Sequence, residues 1–426
     1  RHESVREIHI EPGHDAGADD GDRVLVRLVE GPSIGGLPPG KVLQVALPEG
    51  TWQADLQLVA AEFDLEETFS EEVEAAAAAL PAQISDAEIG RRTDRRDVPF
   101  FTIDPSDAKD HDDAVALELL PDGGFRLGVG IADVSHFVRS NDPIDKEAYT
   151  RATSTYLPGR TFPMIPERLS NDLCSLRPEV DRLAKVVWIE FSPDGVVRGS
   201  EIEKAVIQSR RKFSYSEVQE LLDGAPPDPD EAEFVPVLIA MDRLRDLLHA
   251  RRLARGALDL DLSEMRLRLD DDGTVLDIEA RRRDRSHHMV EEFMLAANEA
   301  VARCASERGI AILRRTHDEP PEEDVTKFLK LCRVLVPGVR IESARDFPRL
   351  VELLGDDPAS PVIQLALLRT LTRAEYAAGK GLHFALATDE YCHFTSPIRR
   401  YPDLQVHRAL DDALFGGRAV LSEEAE

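Results

Sequence analysis

Five aspartates lie within ten residues of one another, in the segment "DPSDAKDHDD". Apolar runs that resemble β-strands, "FFTID" and "AVALELL", closely bracket this segment, so its carboxylates are expected at strand ends near the core. Carboxylates crowded in this way repel one another unless protons or a cation intervene, and a divalent ion would supply that compensation. The five residues are Asp104, Asp107, Asp110, Asp112 and Asp113.

Two interpretations of the acidic segment compete. Loops often carry aspartate for turn formation, so the segment could be a solvated turn. A calcium loop of the EF-hand type is excluded, because it requires Gly and Glu where this chain has Lys109 and Val115. Clustered carboxylates otherwise favour a hard ion, Mg²⁺ or Mn²⁺, as in metal-dependent phosphodiesterases.

The composition sets limits on the class of protein. The chain has 426 residues, 42% of them apolar, and a formal net charge of −29. The length predicts about two to four domains. Residues 1–90 hold 5 basic and 19 acidic side chains. We expect that such a chain binds RNA only through a local basic channel and does not bind polyanions indiscriminately.

The cysteines and the hydropathy indicate the compartment. No Cys-x-x-Cys pair occurs, which is typical of reduced cysteines in a cytosolic protein. No apolar run approaches the ~18 residues of a membrane span. No signal peptide is visible. We therefore expect a cytoplasmic protein without membrane contact. The four cysteines are Cys174, Cys304, Cys332 and Cys392.

Changes in composition divide the chain into three parts. Residues 1–58 contain short apolar runs broken by Gly and Pro, which predict a small β-barrel module. Residues 59–94 form an acidic, alanine-rich connector, in which Ser70 is predicted to begin a helix that ends before Pro81. Residues 95–426 form the third part.

Within the third part, the hydrophobic pattern predicts both strands and helices. "FRLGVGIADV" reads as a strand and "MRLRLDDDGTVLDIEARRR" as a β-hairpin. "HHMVEEFMLAANEAVARCASE" and "PVIQLALLRTLTRAEYAA" read as helices. The arginines of "GRRTDRRDVPF" and three later basic clusters are either solvated surface or contacts to an RNA backbone. These clusters are Arg210–Lys212, Arg251–Arg255 and Arg281–Arg285.

Several segments closely resemble the signature of the ribonuclease II / ribonuclease R family, whose catalytic domain is the RNB domain. They occur in the family order within residues 95–410. The segments are "TIDPSDAKDHDDAVALE", "IADVSHFV", "STYLPGRTFPMIPERLSNDLCSLRPEVDRLA", "VEEFMLAANEAVA" and "HFTSPIRRYPDLQVHRAL".

The resemblance implies a fold and an activity. The fold is an α/β (α+β) RNB catalytic domain, preceded by a small OB or cold-shock-like β-barrel. The activity is that of an exoribonuclease II-type phosphodiesterase, which degrades single-stranded RNA from its 3′ end to nucleoside 5′-monophosphates. The cofactor is Mg²⁺, with Mn²⁺ as the alternative, and the protein is expected to be a monomer. The family pattern continues beyond Glu426 with further catalytic-domain helix and an S1 barrel, so either the protein is a C-terminally shortened form or its remaining part is not included in this sequence.

The resemblance also implies roles for individual residues. Asp104, Asp110, Asp112 and Asp113 match the four acidic positions that hold the metal, whereas Asp107 is a turn residue. Asp112 and Arg399 are the implied catalytic residues. The implied RNA contacts are Tyr156, which stacks on the 3′-terminal base, together with Arg399 and Arg400.

Two other functions remain open at this stage. A binding protein of the same fold with a retired catalytic site would act on RNA as a regulator, although the intact acidic set favours activity. A nuclease that acts on DNA is the other alternative, because recognition of the 2′-hydroxyl depends on geometry that the sequence does not show.

Overall fold

The computed structural model describes residues 7–29, 31–45, 52–260, 264–270, 274–281, 284–355 and 357–416. These residues divide into two compact units. The first contains the described residues up to Phe69, together with Thr155–Phe162 and Met265–Glu279. The second contains Ser70–Ser154, Pro163–Glu264 and the described residues from Ala280 onward.

Runs of several strands and runs of several helices follow one another along the chain. The strands are β1 (His9–Ile10), β2 (Val24–Leu28), β3 (Pro39–Val45), β4 (Thr93–Asp94), β5 (Thr102–Asp104), β6 (Asp113–Leu119), β7 (Phe125–Ala132), β8 (Thr155–Leu157), β9 (Arg160–Phe162), β10 (Asp181–Phe191), β11 (Val197–Gln208), β12 (Lys212–Ser214), β13 (Glu264–Leu269), β14 (Val275–Arg281), β15 (Arg314–Thr316) and β16 (Glu375–Ala377). The helices are α1 (Trp52–Glu62), α2 (Glu71–Ala79), α3 (Asp86–Ile89), α4 (Val134–Phe137), α5 (Pro143–Arg151), α6 (Tyr215–Leu222), α7 (Val235–Ala254), α8 (Arg285–Arg308), α9 (Glu322–Leu335), α10 (Phe347–Leu354), α11 (Ser360–Thr370) and α12 (Tyr401–Leu414).

The first unit is built around a three-stranded sheet in the order β1-β3-β2. The central strand β3 runs parallel to β1 and antiparallel to β2. Gly40 of β3 lies between Ile8 and Val26, and a Cβ at this position would come within 2.6 Å of both side chains. Only glycine therefore permits this close packing. Two hairpins, β8-β9 and β13-β14, belong to the same unit, apart from the ends of β13 and β14.

The second unit contains a five-stranded sheet in the order β4-β11-β10-β7-β6. Neighbouring strands are antiparallel, except that β4 runs parallel to β11. The central strand β10 is buried along nearly all of its length, which explains its almost continuous apolar sequence. Lys185 interrupts that apolar sequence, although its side chain is fully buried.

Helices α7 and α8 pack on this sheet, whereas α6 packs on the separate two-stranded sheet β12-β5 and against α7 and α8. Residues of α7 and α8, including Leu238 and Phe293, share one hydrophobic core with Val187 and Phe191 of β10. The long helix α8 packs against β7, β10 and β11, and it ends at Gly309, whose φ of 66° is the left-handed conformation that commonly terminates helices. This helix therefore forms the rigid support beneath the residues that follow β16.

Most of the predicted elements are confirmed. Ser70 accepts the N–H of Val73 and begins α2, as the sequence indicated. The hairpin β13-β14, the strand β7 and the long helix α8 also match. The helix predicted from Pro361 to Ala378 is wrong in its second half. It ends at Thr370, because the chain beyond it enters β16, which pairs with β15.

Three of the four arginines in "GRRTDRRDVPF", Arg92, Arg95 and Arg96, are engaged in ion pairs. Arg92 pairs with Glu88 and with Asp133, and its side chain is almost completely buried. The guanidinium of Arg95 donates to Glu203 at 2.7 and 3.1 Å. The segment therefore anchors the connector to the sheet instead of forming a solvated linker. In the described parts of the chain, no helix is long and apolar enough to cross a membrane.

Candidate active site

The acidic segment connects two strands that lie side by side. β5 ends at Asp104 and β6 begins at Asp113. Phe101 and Val115 exchange both backbone hydrogen bonds, at 3.1 and 2.9 Å. The loop is thus closed at its base, and its first and last carboxylates are held near each other. Asp107 lies exposed within the turn at Pro105–Ala108, away from the strand ends.

Two residues that the sequence argument did not single out hold this loop. The hydroxyl of Ser175 donates to the carbonyl of Lys109 at 2.7 Å and accepts the N–H of His111 at 3.1 Å. The ring Nδ1 of His111 lies 2.7 Å from Asp104 Oδ2 and donates to it. His111 was visible between Asp110 and Asp112, but Ser175 is 64 residues away and no local pattern marks it.

Asp112 joins the loop to a distant segment. Its Oδ1 accepts the backbone N–H of Ile398 at 2.9 Å, and its Oδ2 lies 3.7 Å from Arg399 Nε. Asp112 is only 4% exposed, whereas the side chain of Arg399 is 46% exposed. The structure therefore brings the two predicted catalytic residues together, with the arginine accessible to a ligand.

The electrostatics of the loop are those of carboxylates with too little positive charge around them. Burial raises the pKa of Asp112 well above its usual value, and Asp110 and Asp113 add to the shift, although Arg399 opposes it. Burial and the nearby Asp104 raise the pKa of Asp113 to about 7. A cation placed among these groups would relieve both effects.

Arg400 occupies a different environment from its neighbour. Its Nε and Nη2 donate to the two oxygens of Asp403 at 2.9 and 2.7 Å. Asp403 is completely buried and also accepts the N–H of Ser396 at 2.8 Å. Asp403 could have been noticed in the sequence, since it follows Arg400 by three residues in the first turn of α12.

Tyr156, the predicted stacking residue, lies in the first compact unit. It is part of the hairpin β8-β9, where it pairs with Thr161, and it is 49% exposed.

The chemistry of the donor set fits a hard divalent cation. Asp104, Asp110, Asp112 and Asp113 offer only carboxylate oxygens, and two of them are poorly compensated. Within the described residues, however, no three His, Cys, Asp or Glu side chains converge closely enough to hold one metal ion. Asp104 and Asp112 accept hydrogen bonds from protein groups instead. Each of these hydrogen bonds engages only one oxygen of its carboxylate.

Acidic partners also engage the three predicted basic clusters. Arg211 pairs with Asp230 and Glu231, and Arg252 pairs with Glu292. Arg285 pairs with acids of α6–α7. Arg282 and Arg283 lie outside the described residues. None of these pairs identifies an RNA path.

Comparison with known proteins assigns the chain to a family. The family model of the RNB domain matches residues 92–416. The chain belongs to the RNB domain family. Among curated relatives of this RNB-domain chain, Ribonuclease R of Thermotoga maritima is 37% identical over 95% of the chain and 58% of the relative. Ribonuclease R of Escherichia coli is 36% identical over 95% of the chain and 50% of the relative. The chain thus spans about half the length of the curated relatives it matches.

Solved structures agree with the fold. Mycoplasma genitalium RNase R in complex with ribose methylated single-stranded RNA matches with a TM-score of 0.89 and 30% identity, over 96% of this RNB-domain chain and 64% of that chain. Yeast Ssd1, described as a pseudonuclease, matches with a TM-score of 0.73 over 93% of this chain and 50% of its own. Its identity of 18% indicates similarity of fold alone. The prediction of an RNB catalytic domain with mixed α/β structure is therefore confirmed.

Proposed function

We propose that this protein is a hydrolytic exoribonuclease that degrades single-stranded RNA from its 3′ end to nucleoside 5′-monophosphates. The observation that carries the proposal is the poorly compensated pair Asp112 and Asp113 facing the exposed Arg399, in a chain of the RNB domain family. The similarity to proteins named Ribonuclease R over most of this chain supports the direction and the substrate.

Mg²⁺, with Mn²⁺ as the alternative, is the proposed cofactor. Asp104, Asp110, Asp112 and Asp113 would hold it. When bound, such an ion activates water and stabilises charge on phosphate oxygens. The negative charge of the carboxylates compensates the charge of the cation. Strands β5 and β6 fix the positions of Asp104 and Asp113, the first and last of the four.

Three side chains are proposed to position the RNA. The guanidinium of Arg399 is a permanent, planar donor that can bind the scissile phosphate and stabilise the charge that develops there. Arg400 is a second proposed RNA contact, with its guanidinium oriented by Asp403. The exposed ring of Tyr156 offers a flat surface for the terminal base, which any sequence can use.

The domain organisation of the sequence analysis is retained as part of the proposal. Residues 1–58 would form an OB or cold-shock-like module, residues 59–94 the connector, and residues 95–426 the catalytic part. The three-stranded sheet β1-β3-β2 supports a β-module at the start of the chain. Four free cysteines are compatible with a reducing cytoplasm.

The test is a product assay on RNA labelled at its 5′ end. Single-stranded RNA and DNA of the same sequence are incubated with the protein in Mg²⁺, in Mn²⁺ and in EDTA, and the products are resolved by length. We expect fragments that shorten from the 3′ end, only with RNA and only with a divalent ion. Binding of RNA without shortening would contradict the proposal and favour a retired catalytic site, whereas equal degradation of DNA would contradict the substrate.

A further inference from the structure

The segment from Tyr391 to Arg400 is irregular backbone that is largely buried. Because it has few strand or helix partners, side chains must satisfy its polar groups. Asn298 of α8 accepts the N–H of Phe394 at 2.9 Å, and His407 of α12 donates to the carbonyl of Phe394 at 2.9 Å. These contacts fix the first half of the segment.

Asp403 holds the second half at both of its ends. It accepts the N–H of Ser396 at 2.8 Å and binds the guanidinium of Arg400 through both oxygens, at 2.7 and 2.9 Å. It is 0% exposed, and a buried carboxylate is unfavourable unless such partners compensate it. The carboxylate of Asp403 therefore links the first and last residues of the five-residue loop Ser396–Arg400.

The residues between these two anchors are those that contact Asp112. The N–H of Ile398 donates to Asp112 Oδ1 at 2.9 Å, and Arg399 follows directly, with Nε 3.7 Å from Asp112 Oδ2. The carbonyl of Ser396 accepts the N–H groups of Arg399 and Arg400 at 3.3 and 3.0 Å, and its hydroxyl lies 3.2 Å from Arg399 Nη2. Ser154 and Thr153 donate to the carbonyl of Arg399. The orientation of the Ile398 N–H and the start of the Arg399 side chain thus depend on the closed loop.

We infer that Asp403 is a positioning residue, which sets the geometry of Asp112 and Arg399 for the proposed hydrolysis by closing the loop Ser396–Arg400. It does not contact RNA itself. The inference rests on the proposed function, since it concerns the rate of that same reaction. A simple structural role for a buried ion pair would affect stability and leave the rate per folded molecule unchanged.

Asp403→Asn tests this distinction. The amide keeps the shape and an acceptor for the Ser396 N–H, but it removes the charge that holds Arg400. We expect the single-turnover cleavage rate at saturating single-stranded RNA to fall about 10²-fold, since a displacement of ~1 Å in a reacting group can cost this much. The dissociation constant for the same RNA, measured in EDTA, should rise far less than the rate falls, because Arg399 and Arg400 are only two of the contacts that hold a long strand.

The matched control is Asp145→Asn. Asp145 of α5 is also buried, and it pairs at 2.8 Å with Arg408, which lies on α12 as Asp403 does. Its other described partners, Asn141 and Tyr401, lie outside Ser396–Arg400. We expect a comparable loss of thermal stability in both variants but a parental cleavage rate in Asp145→Asn. Equal rate losses in the two variants, or a parental rate in Asp403→Asn, would overturn the positioning role.

A double variant covers failure of Asp403→Asn to fold. Asp403→Asn combined with Arg400→Gln removes both charges together and permits an amide pair, so we expect it to be more stable than Asp403→Asn alone and to show at least the same rate loss. A parental rate in this double variant would overturn the inference. If neither the parent nor Asp145→Asn cleaves RNA, the proposed function itself fails. If all variants cleave RNA at the parental rate, the proposed function stands and only the positioning role of Asp403 fails.

Discussion

Two groups of buried carboxylates in the second unit have opposite electrostatics. In the acidic loop, burial raises the pKa of both Asp112 and Asp113. Asp133, at the start of α4, is at least as deeply buried, yet its pKa is held well below the usual value. Burial opposes ionisation of Asp133 too, but Lys185 and Arg92 overcome that effect.

The difference lies in the number of cations within reach. Lys185 Nζ contacts Asp133 and lies 3.1 Å from Asp411, and Arg92 Nη1 lies 2.8 Å from Asp133. The acidic loop has Arg399 at 3.7 Å from Asp112. A compensated cluster serves the fold, whereas buried carboxylates that lack compensation are a feature of functional sites. The comparison therefore distinguishes Asp133, which is compensated within the fold, from Asp112 and Asp113 of the proposed site.

The largest expected effect comes from Asp113→Asn. Removal of one carboxylate from the proposed metal-binding set should reduce RNA hydrolysis by at least about 10²-fold, as expected for loss of a group that supports the transition state. The melting temperature in EDTA should stay equal or rise, because an unfavourable buried charge is lost. The assay is single-turnover cleavage in Mg²⁺, together with thermal unfolding. Asp107→Asn, in the exposed turn, is the control with parental activity, and near-parental cleavage by Asp113→Asn would refute the assignment.

Lys185→Met, in the compensated cluster around Asp133, should instead reduce the stability of the fold. It leaves Asp133 and Asp411 with less compensation in a buried environment, so the free energy of unfolding should fall by about 3 kcal/mol, the lower end for a broken buried pair, because Arg92 remains. Urea unfolding measures this loss. Lys204→Met removes a cation with 24% side-chain exposure and should cost less than about 1 kcal/mol. Equal losses in the two variants would mean that burial of the lysine does not matter here.

Arg399→Lys tests the role of the guanidinium that lies beside Asp112. Lysine keeps the charge but loses the planar fork, so we expect the cleavage rate to fall about 10²-fold, as for loss of one donor to the transition state. Stability should be unchanged, since this side chain is half-exposed. The control is Arg177→Lys, which alters a similarly exposed arginine paired with Asp172. A rate as high as that of the control would show that charge alone suffices at Arg399.

The smallest effect should be seen at acidic pH. The folded-state pKa of Asp133 lies below its ordinary value of 3.8, so its pairing stabilises the protein above that pH, and this contribution is lost as the pH falls through the folded value. The double variant Asp133→Asn with Lys185→Met lacks the pair. The difference in unfolding free energy between parent and double variant should therefore shrink between pH 5 and pH 3. A constant difference in urea unfolding over this range would contradict the lowered pKa of Asp133.

Local sequence was sufficient for the elements that carry the acidic loop. The alternation of apolar residues predicted β5, β6 and β7, and Ser70 marked the beginning of α2, because these features depend on neighbours in the chain. The helix predicted from Pro361 to Ala378 failed for the same reason. Pairing of Arg315 with Tyr376, which are far apart in sequence, decides the structure of its second half.

The sequence by itself determined that four carboxylates and an arginine of the proposed site are present, and where the acids lie relative to two strands. Only the tertiary structure decided that Asp112 meets Ile398, 286 residues away, that Ser175 holds the acidic loop and that Asp403 closes the segment carrying Arg399. It also decided which aspartates are compensated. The physical reason is that desolvation and Coulomb interactions depend on distance in space, and separation along the chain does not report this distance.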